Sequence, residues 1–103
     1  MTGMILKYKD IEPTIAKDVF IAEGSVVIGD AHIGSKSSIW YNVTIRGDVN
    51  KIRIGSETNI QDNAMCHVTR KVGPLTIGDR VTIGHSAVLH ACTVEDECLI
   101  GMG

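Results

Sequence analysis

The sequence predicts an all-β protein, a parallel β-helix wound from hexapeptide repeats, on three observations. First, an aliphatic residue recurs every six positions, at Ile15, Ile21, Val27, Ile33, Ile39 and Ile45, then at Ile54 and Ile60. Cys66 keeps the beat, and Ile77, Ile83, Leu89, Val94 and Ile100 carry it on. Second, a small or β-branched residue often follows four places later: Val19, Ser25, Ala31, Ser37, Val43, Thr58, Ala64, Val81 and Ala87. Third, neither helical 3.6 periodicity nor plain alternation fits so many positions. Each hexad is then one short strand and a corner, stacked on its neighbours.

Three hexads make one triangular coil, so every third hexad returns to the same face. Taken in order from Ile15 on the first face, the second face carries Ile21, Ile39, Ile60, Ile83 and Ile100. The third carries Val27, Ile45, Cys66 and Leu89. The beat breaks three times. Ile45 to Ile54 is nine residues, placing a three-residue bulge around Asn50, Lys51 and Ile52. Cys66 to Ile77 is eleven, so five extra residues loop out near Thr69-Arg70-Lys71-Val72-Gly73-Pro74, a turn-forming composition. Leu89 to Val94 is five, one short of the beat. Such insertions belong at corners, where they leave the stack intact.

The 103 residues form one domain, 1–103, small for an independent core. An open-ended solenoid with free strand edges is expected to associate with copies of itself. The chain stops in mid-repeat at Gly101-Met102-Gly103 without a cap, which predicts either truncation at the C-terminus or a partner over the last rung. A net charge of −2 with scattered basic residues predicts no nucleic-acid partner, and no long apolar run or signal peptide predicts no membrane association. Three cysteines, an odd number, fit a reduced cytoplasmic protein better than a disulfide scaffold.

Three of the four histidines follow from the face assignment. His67 follows Cys66 and His90 follows Leu89, so they share a register on the third face. The inserted loop separates them by 23 residues in sequence, yet they stand one rung apart, about 4.8 Å. His85 follows Ile83 by two places on the second face and is not expected to reach the other two within one chain. A neighbouring subunit would supply it. Three neutral imidazoles with a fourth position open form the pattern of a catalytic zinc site, whose ring nitrogens need to lie roughly 3.3 Å apart. Such a site makes hydroxide at neutral pH, a nucleophile able to attack carbon dioxide. Polar groups gather on the rung below: Arg46 under His67, Asp62 under His85, and Asp48, Asn59 and Gln61 on the same coil. These can orient histidines, hold water, or pair Arg46 with carboxylates across a subunit boundary.

The segments Arg46-Gly47-Asp48, Asn59-Ile60-Gln61-Asp62, Cys66-His67-Val68, Ile83-Gly84-His85-Ser86-Ala87-Val88-Leu89-His90 and Leu99-Ile100-Gly101-Met102-Gly103 together resemble the γ-class carbonic anhydrase family, which includes ferripyochelin-binding-like proteins. The resemblance covers nearly the whole chain. It implies a left-handed coil, a homotrimer, and a metal at each subunit interface held by His67, His85 and His90. The metal would be zinc, with iron or cobalt as alternatives. Gln61 would act near the metal-bound water, with Arg46 and Asp62 as further catalytic candidates. Arg46, Asp48 and Asp62 would form an interface ion network. The substrates implied are carbon dioxide and bicarbonate. Archetypal members carry a long acidic loop whose glutamate shuttles protons, whereas Val68 to Pro74 here is short and has no carboxylate. The family also continues beyond the position of Gly103 into further coils and a C-terminal helix.

Other residues read more plainly. His32 has no partner in register and is expected on the exposed surface. Cys66 is expected in the core as a small hydrophobe, and nothing about Cys92 and Cys98 points to redox chemistry. Trp40 and Tyr41 are expected to pack at a corner or interface rather than on a ligand. The glycines lack phosphate-loop spacing. Two other functions compete with the anhydrase reading: a hexapeptide-repeat acyltransferase using acyl-CoA and one histidine base, and a non-catalytic trimeric metal-binding scaffold.

Overall fold

The computed structural model describes residues 2–103 and is a left-handed parallel β-helix. The first coil holds β1 (Met4–Leu6), β2 (Thr14–Ile15) and β3 (Phe20–Ile21). The middle of the chain supplies β4 (Val26–Ile33), β5 (Ser38–Ile39), β6 (Thr44–Ile54), β7 (Asn59–Ile60) and β8 (Met65–His67). The last coils hold β9 (Leu75–Ile77), β10 (Thr82–Ile83), β11 (Val88–His90), β12 (Thr93–Val94) and β13 (Leu99–Ile100). Among the described residues no helix is long and apolar enough to cross a membrane.

The three faces follow the hexad count. The second face stacks β3, β5, β7, β10 and β13, with Ile21, Ile39, Ile60, Ile83 and Ile100 in one parallel register. The third stacks Ile5, Val27, Ile45, Cys66 and Leu89. The first stacks Ile15, Ile33, Ile54, Ile77 and Val94. Because strand side chains alternate in direction, these residues point inward and their neighbours outward. The small residues four places on are all buried as well, where they let successive corners approach. Three of them carry hydroxyls, and each finds a carbonyl: Ser25 donates to Ala22, Ser37 to Gly55 and Thr58 to Gly78. Among the described residues no buried side-chain polar atom is left without a partner, as a low-dielectric core requires.

The bulge in β6 starts two residues earlier than expected and ends one residue sooner. Gly29 pairs with Gly47 and Ala31 with Ile52, so residues 48–51 stand opposite Asp30 alone. Ile52 is fully buried and stacks between Ala31 and Leu75, so it belongs to the core rather than the bulge. Gly29 sits where the bulge leaves the stack, with φ +72, and a Cβ there would lie 2.3 Å from the Gly47 carbonyl oxygen. Only glycine meets both conditions without strain. The second insertion, after Val68, closes on itself through paired backbone bonds between Thr69 and Gly73.

Candidate metal centre

Two histidines are brought together on the third face. β8 and β11 pair in register, matching Met65 with Val88, Cys66 with Leu89 and His67 with His90. Cys66 and Leu89 are drawn inward by burial, which turns both imidazoles outward. Their ring centroids are 5.1 Å apart, edge to face. Burial, with a smaller contribution from Cys92, pushes the Cys66 thiol up to about 12, so it serves the core and not the site.

Each imidazole is held by an oxygen from an insertion. His67 Nε2 lies 3.0 Å from Asp48 Oδ1 in the bulge, and the other Asp48 oxygen accepts from the Arg46 guanidinium. The Val49 backbone N–H donates to Asp48 Oδ1 at 2.7 Å. Burial pulls the Asp48 carboxyl upward, but Val49, His67 and Arg46 together hold it below the ordinary carboxylate value. His90 Nε2 lies 2.9 Å from the Thr69 hydroxyl at the base of the second insertion. Asn50 Nδ2 donates to the Thr69 carbonyl at 3.1 Å, tying the two insertions together.

The second face presents a different set. Thr82 pairs with Asn59 and Ile83 with Ile60, which puts His85 over Asp62. His85 Nδ1 is 3.3 Å from Asp62 Oδ1. Gln61 Nε2 donates to Asn59 Oδ1 at 3.0 Å, and Asn59 Nδ2 donates to Thr82 Oγ1 at 3.0 Å. An open depression runs across this face, lined by Ser38, Trp40, Asn59, Gln61, Asp62 and His85.

The donor chemistry fits a cation of the zinc type. Each of the three imidazoles has an oxygen within 3.3 Å of one ring nitrogen, Nε2 of His67 and His90 and Nδ1 of His85, which leaves the other nitrogen facing no side-chain partner among the described residues. Among the described residues of one chain, no three His, Cys, Asp or Glu side chains lie close enough to hold a metal. His67 and His90 belong to one face and His85 to another, as the hexad count required.

Of the other sequence candidates, Gln61 and Asp62 line the depression. Arg46 and Asp48 stand beside His67 and pair with each other within the chain. His32 is exposed on the first face, 3.8 Å from Asp30. All three cysteines are free, with Cys92 and Cys98 exposed. Sequence reasoning missed Thr69 as the partner of His90; the signal was its place at the start of the insertion, two residues after His67.

Comparisons with known proteins follow the same lines. The family model described as bacterial transferase hexapeptide (six repeats) matches residues 12–47. Gamma carbonic anhydrase 1, mitochondrial, of Arabidopsis thaliana is 59% identical over 91% of this chain and 36% of its own length. A carbonic anhydrase of Geobacillus kaustophilus is 47% identical over 97% of this chain and 54% of its own. A solved Bacillus cereus structure carrying a provisional acetyltransferase name superimposes with a TM-score of 0.96 at 43% identity, covering all of this chain and 59% of that one. The chain thus spans between about a third and three-fifths of the length of these relatives.

Proposed function

The chain belongs with the γ-class carbonic anhydrases among the hexapeptide-repeat proteins, and from that premise we propose that it hydrates carbon dioxide reversibly at metal centres shared between the subunits of a homotrimer. The observation that carries the reading is the in-register pair His67 and His90 on one face, with His85 set apart on another. Two ligands from one subunit and one from the next complete a three-histidine site. Zinc suits this set, with iron or cobalt as alternatives. Bound there with one position open, the cation would lower the pKa of water to about 7 and so supply a nucleophile at neutral pH.

The chain's own residues prepare that chemistry. Asp62 fixes the tautomer of His85 by holding Nδ1, which leaves Nε2 to the cation. Asp48 holds His67 at Nε2 instead, which leaves Nδ1 to the cation, and is itself kept ionised by Arg46 and the Val49 N–H. Asn59 pins the Gln61 amide, so its carbonyl oxygen points as a fixed acceptor toward water or substrate. Hydration releases a proton, and the Val68–Pro74 segment offers no carboxylate to carry it. Proton release then rests on buffer or another group, and with buffer as the acceptor turnover should rise with buffer concentration. The free thiols suit a reducing cytoplasmic compartment.

The transferase name of the Bacillus cereus relative keeps a second reading in play, acyl transfer from acyl-CoA with one histidine as base. That reaction needs no subunit-spanning triad. Co-refolding a His67→Ala chain with a His85→Ala chain separates the two. Each variant alone should be inactive, and the mixture should regain part of the hydration rate, because some interfaces then carry all three intact histidines. A mixture as inactive as its parents would refute the shared site.

A further inference from the structure

Trp40 is the chain's single tryptophan, and it lines the same depression as Gln61, Asp62 and His85. Its place follows from the stack: the Trp40 backbone N–H donates to the Ile60 carbonyl at 2.9 Å, which sets Trp40 one rung below Gln61. The only polar atom of the indole is already used, because Nε1 donates to Ser38 Oγ at 3.0 Å. The ring therefore offers nothing but carbon surface to the depression. Phe20 braces it at 5.0 Å between centroids and Tyr41 at 6.2 Å, both tilted, so its orientation is fixed from two sides.

The rest of the lining is polar. Asn59 and Gln61 form a hydrogen-bonded row, and His85 is pinned by Asp62. A depression with an apolar ring beside a fixed amide acceptor suits a small uncharged molecule rather than a charged one. Resting on the carbonic anhydrase reading, we propose that Trp40 is the specificity-determining residue that receives carbon dioxide. The neutral substrate meets the indole, while anionic bicarbonate gains nothing there. Sequence reasoning placed Trp40 at a corner or interface; the structure gives it the corner and also the depression.

The consequence is asymmetric kinetics. Removing an apolar contact made equally in ground and transition states raises KM and leaves kcat in place. In a Trp40→Ala variant the KM for carbon dioxide should rise about tenfold, the scale of a lost small apolar contact. Its hydration kcat, metal content and oligomeric state should hold, and a Trp40→Phe variant should stay near the parent. Since the overall equilibrium is fixed, the dehydration kcat/KM must fall by the same factor, and with bicarbonate making no contact to the indole the fall should be in kcat. Independently of activity, Co²⁺ added to metal-free protein should quench Trp40 fluorescence, and a His85→Ala variant should lose that quenching.

An unchanged KM in Trp40→Ala, with His67→Ala inactive, would overturn the Trp40 role and leave the anhydrase reading standing. Dissociated subunits in Trp40→Ala, with normal kinetics in the Trp40→Phe trimer and no Co²⁺ quenching, would make the residue an interface element and overturn the proposal. A metal-loaded parent protein with no hydration activity would overturn both readings together.

Discussion

The second face and the corner between the third and first faces obey different rules, and the difference shows two ways in which one stack can orient a histidine. The second face repeats five rungs with no insertion, Ile21 over Ile39, Ile60, Ile83 and Ile100. The other corner absorbs every break in the beat: nine residues from Ile45 to Ile54, eleven from Cys66 to Ile77, and five from Leu89 to Val94. Both insertions there deliver an oxygen to a histidine, Asp48 to His67 and Thr69 to His90. Departures from the hexad supply the oxygens beside His67 and His90, while regular rungs supply the Asn59–Gln61 row and Asp62 beside His85. His85 shows the complement, since it needs no insertion and takes its orientation from Asp62 one rung below.

The sharpest way to break this contrast is to add one residue on each side of it. A single glycine inserted between Ser38 and Ile39 turns Ile39 outward and shifts the register of every later rung. It should abolish soluble, folded protein. The same glycine placed between Lys71 and Val72 lengthens an exposed loop already clamped at its base, and should lower stability by less than about 1 kcal/mol in urea unfolding. Equal damage from both insertions would show that the corner is as constrained as the face.

Thiol labelling sharpens the comparison at the third face. With Cys66 buried and its pKa at about 12, two thiols per native chain, Cys92 and Cys98, should react with an alkylating reagent at pH 8. A third should react only on unfolding. Rapid labelling of three thiols in native protein would mean that the floor under His67 is open.

The smallest effect is expected at a regular corner. The Lys36 backbone N–H, with help from the Ser35 hydroxyl, holds the Asp18 carboxyl below its ordinary value. A lowered folded-state pKa stabilises the fold above the unfolded value, and that stability is lost as pH falls through the folded one. An Asp18→Asn variant should therefore be slightly less stable than the parent at pH 7. The gap should close in acid, below the usual carboxylate range, and urea midpoints across pH read it directly. A gap that widens in acid would reverse the sign.

Much of this was legible in the residues. A six-residue period fixes three faces, and counting hexads across the loop put His67 beside His90 despite the 23 intervening residues. The same count put Asp62 under His85. Ile52 was harder to place, because counting four places on from Ile45 reaches Val49, inside the bulge, rather than Ile52 two places before Ile54. Ile52-Arg53-Ile54 and Leu75-Thr76-Ile77 also alternate with period two, and that local signal marks Ile52 and Leu75 as core. Contacts made by the insertions were not legible. The path of residues 48–51 and 69–73 depends on where an irregular backbone folds back, which no period encodes. Hence Asp48 on His67 and Thr69 on His90 emerged only in three dimensions, as did the indole of Trp40 beside His85.

His67, His85 and His90 are proposed to hold one metal between subunits. Elemental analysis of protein purified without chelator and without air tests it most directly, with the parent chain beside a His67→Ala variant. About one zinc or iron per chain in the parent and almost none in the variant is the result expected of three shared histidine ligands. Equal metal in both, or none in the parent even after reconstitution, would contradict it.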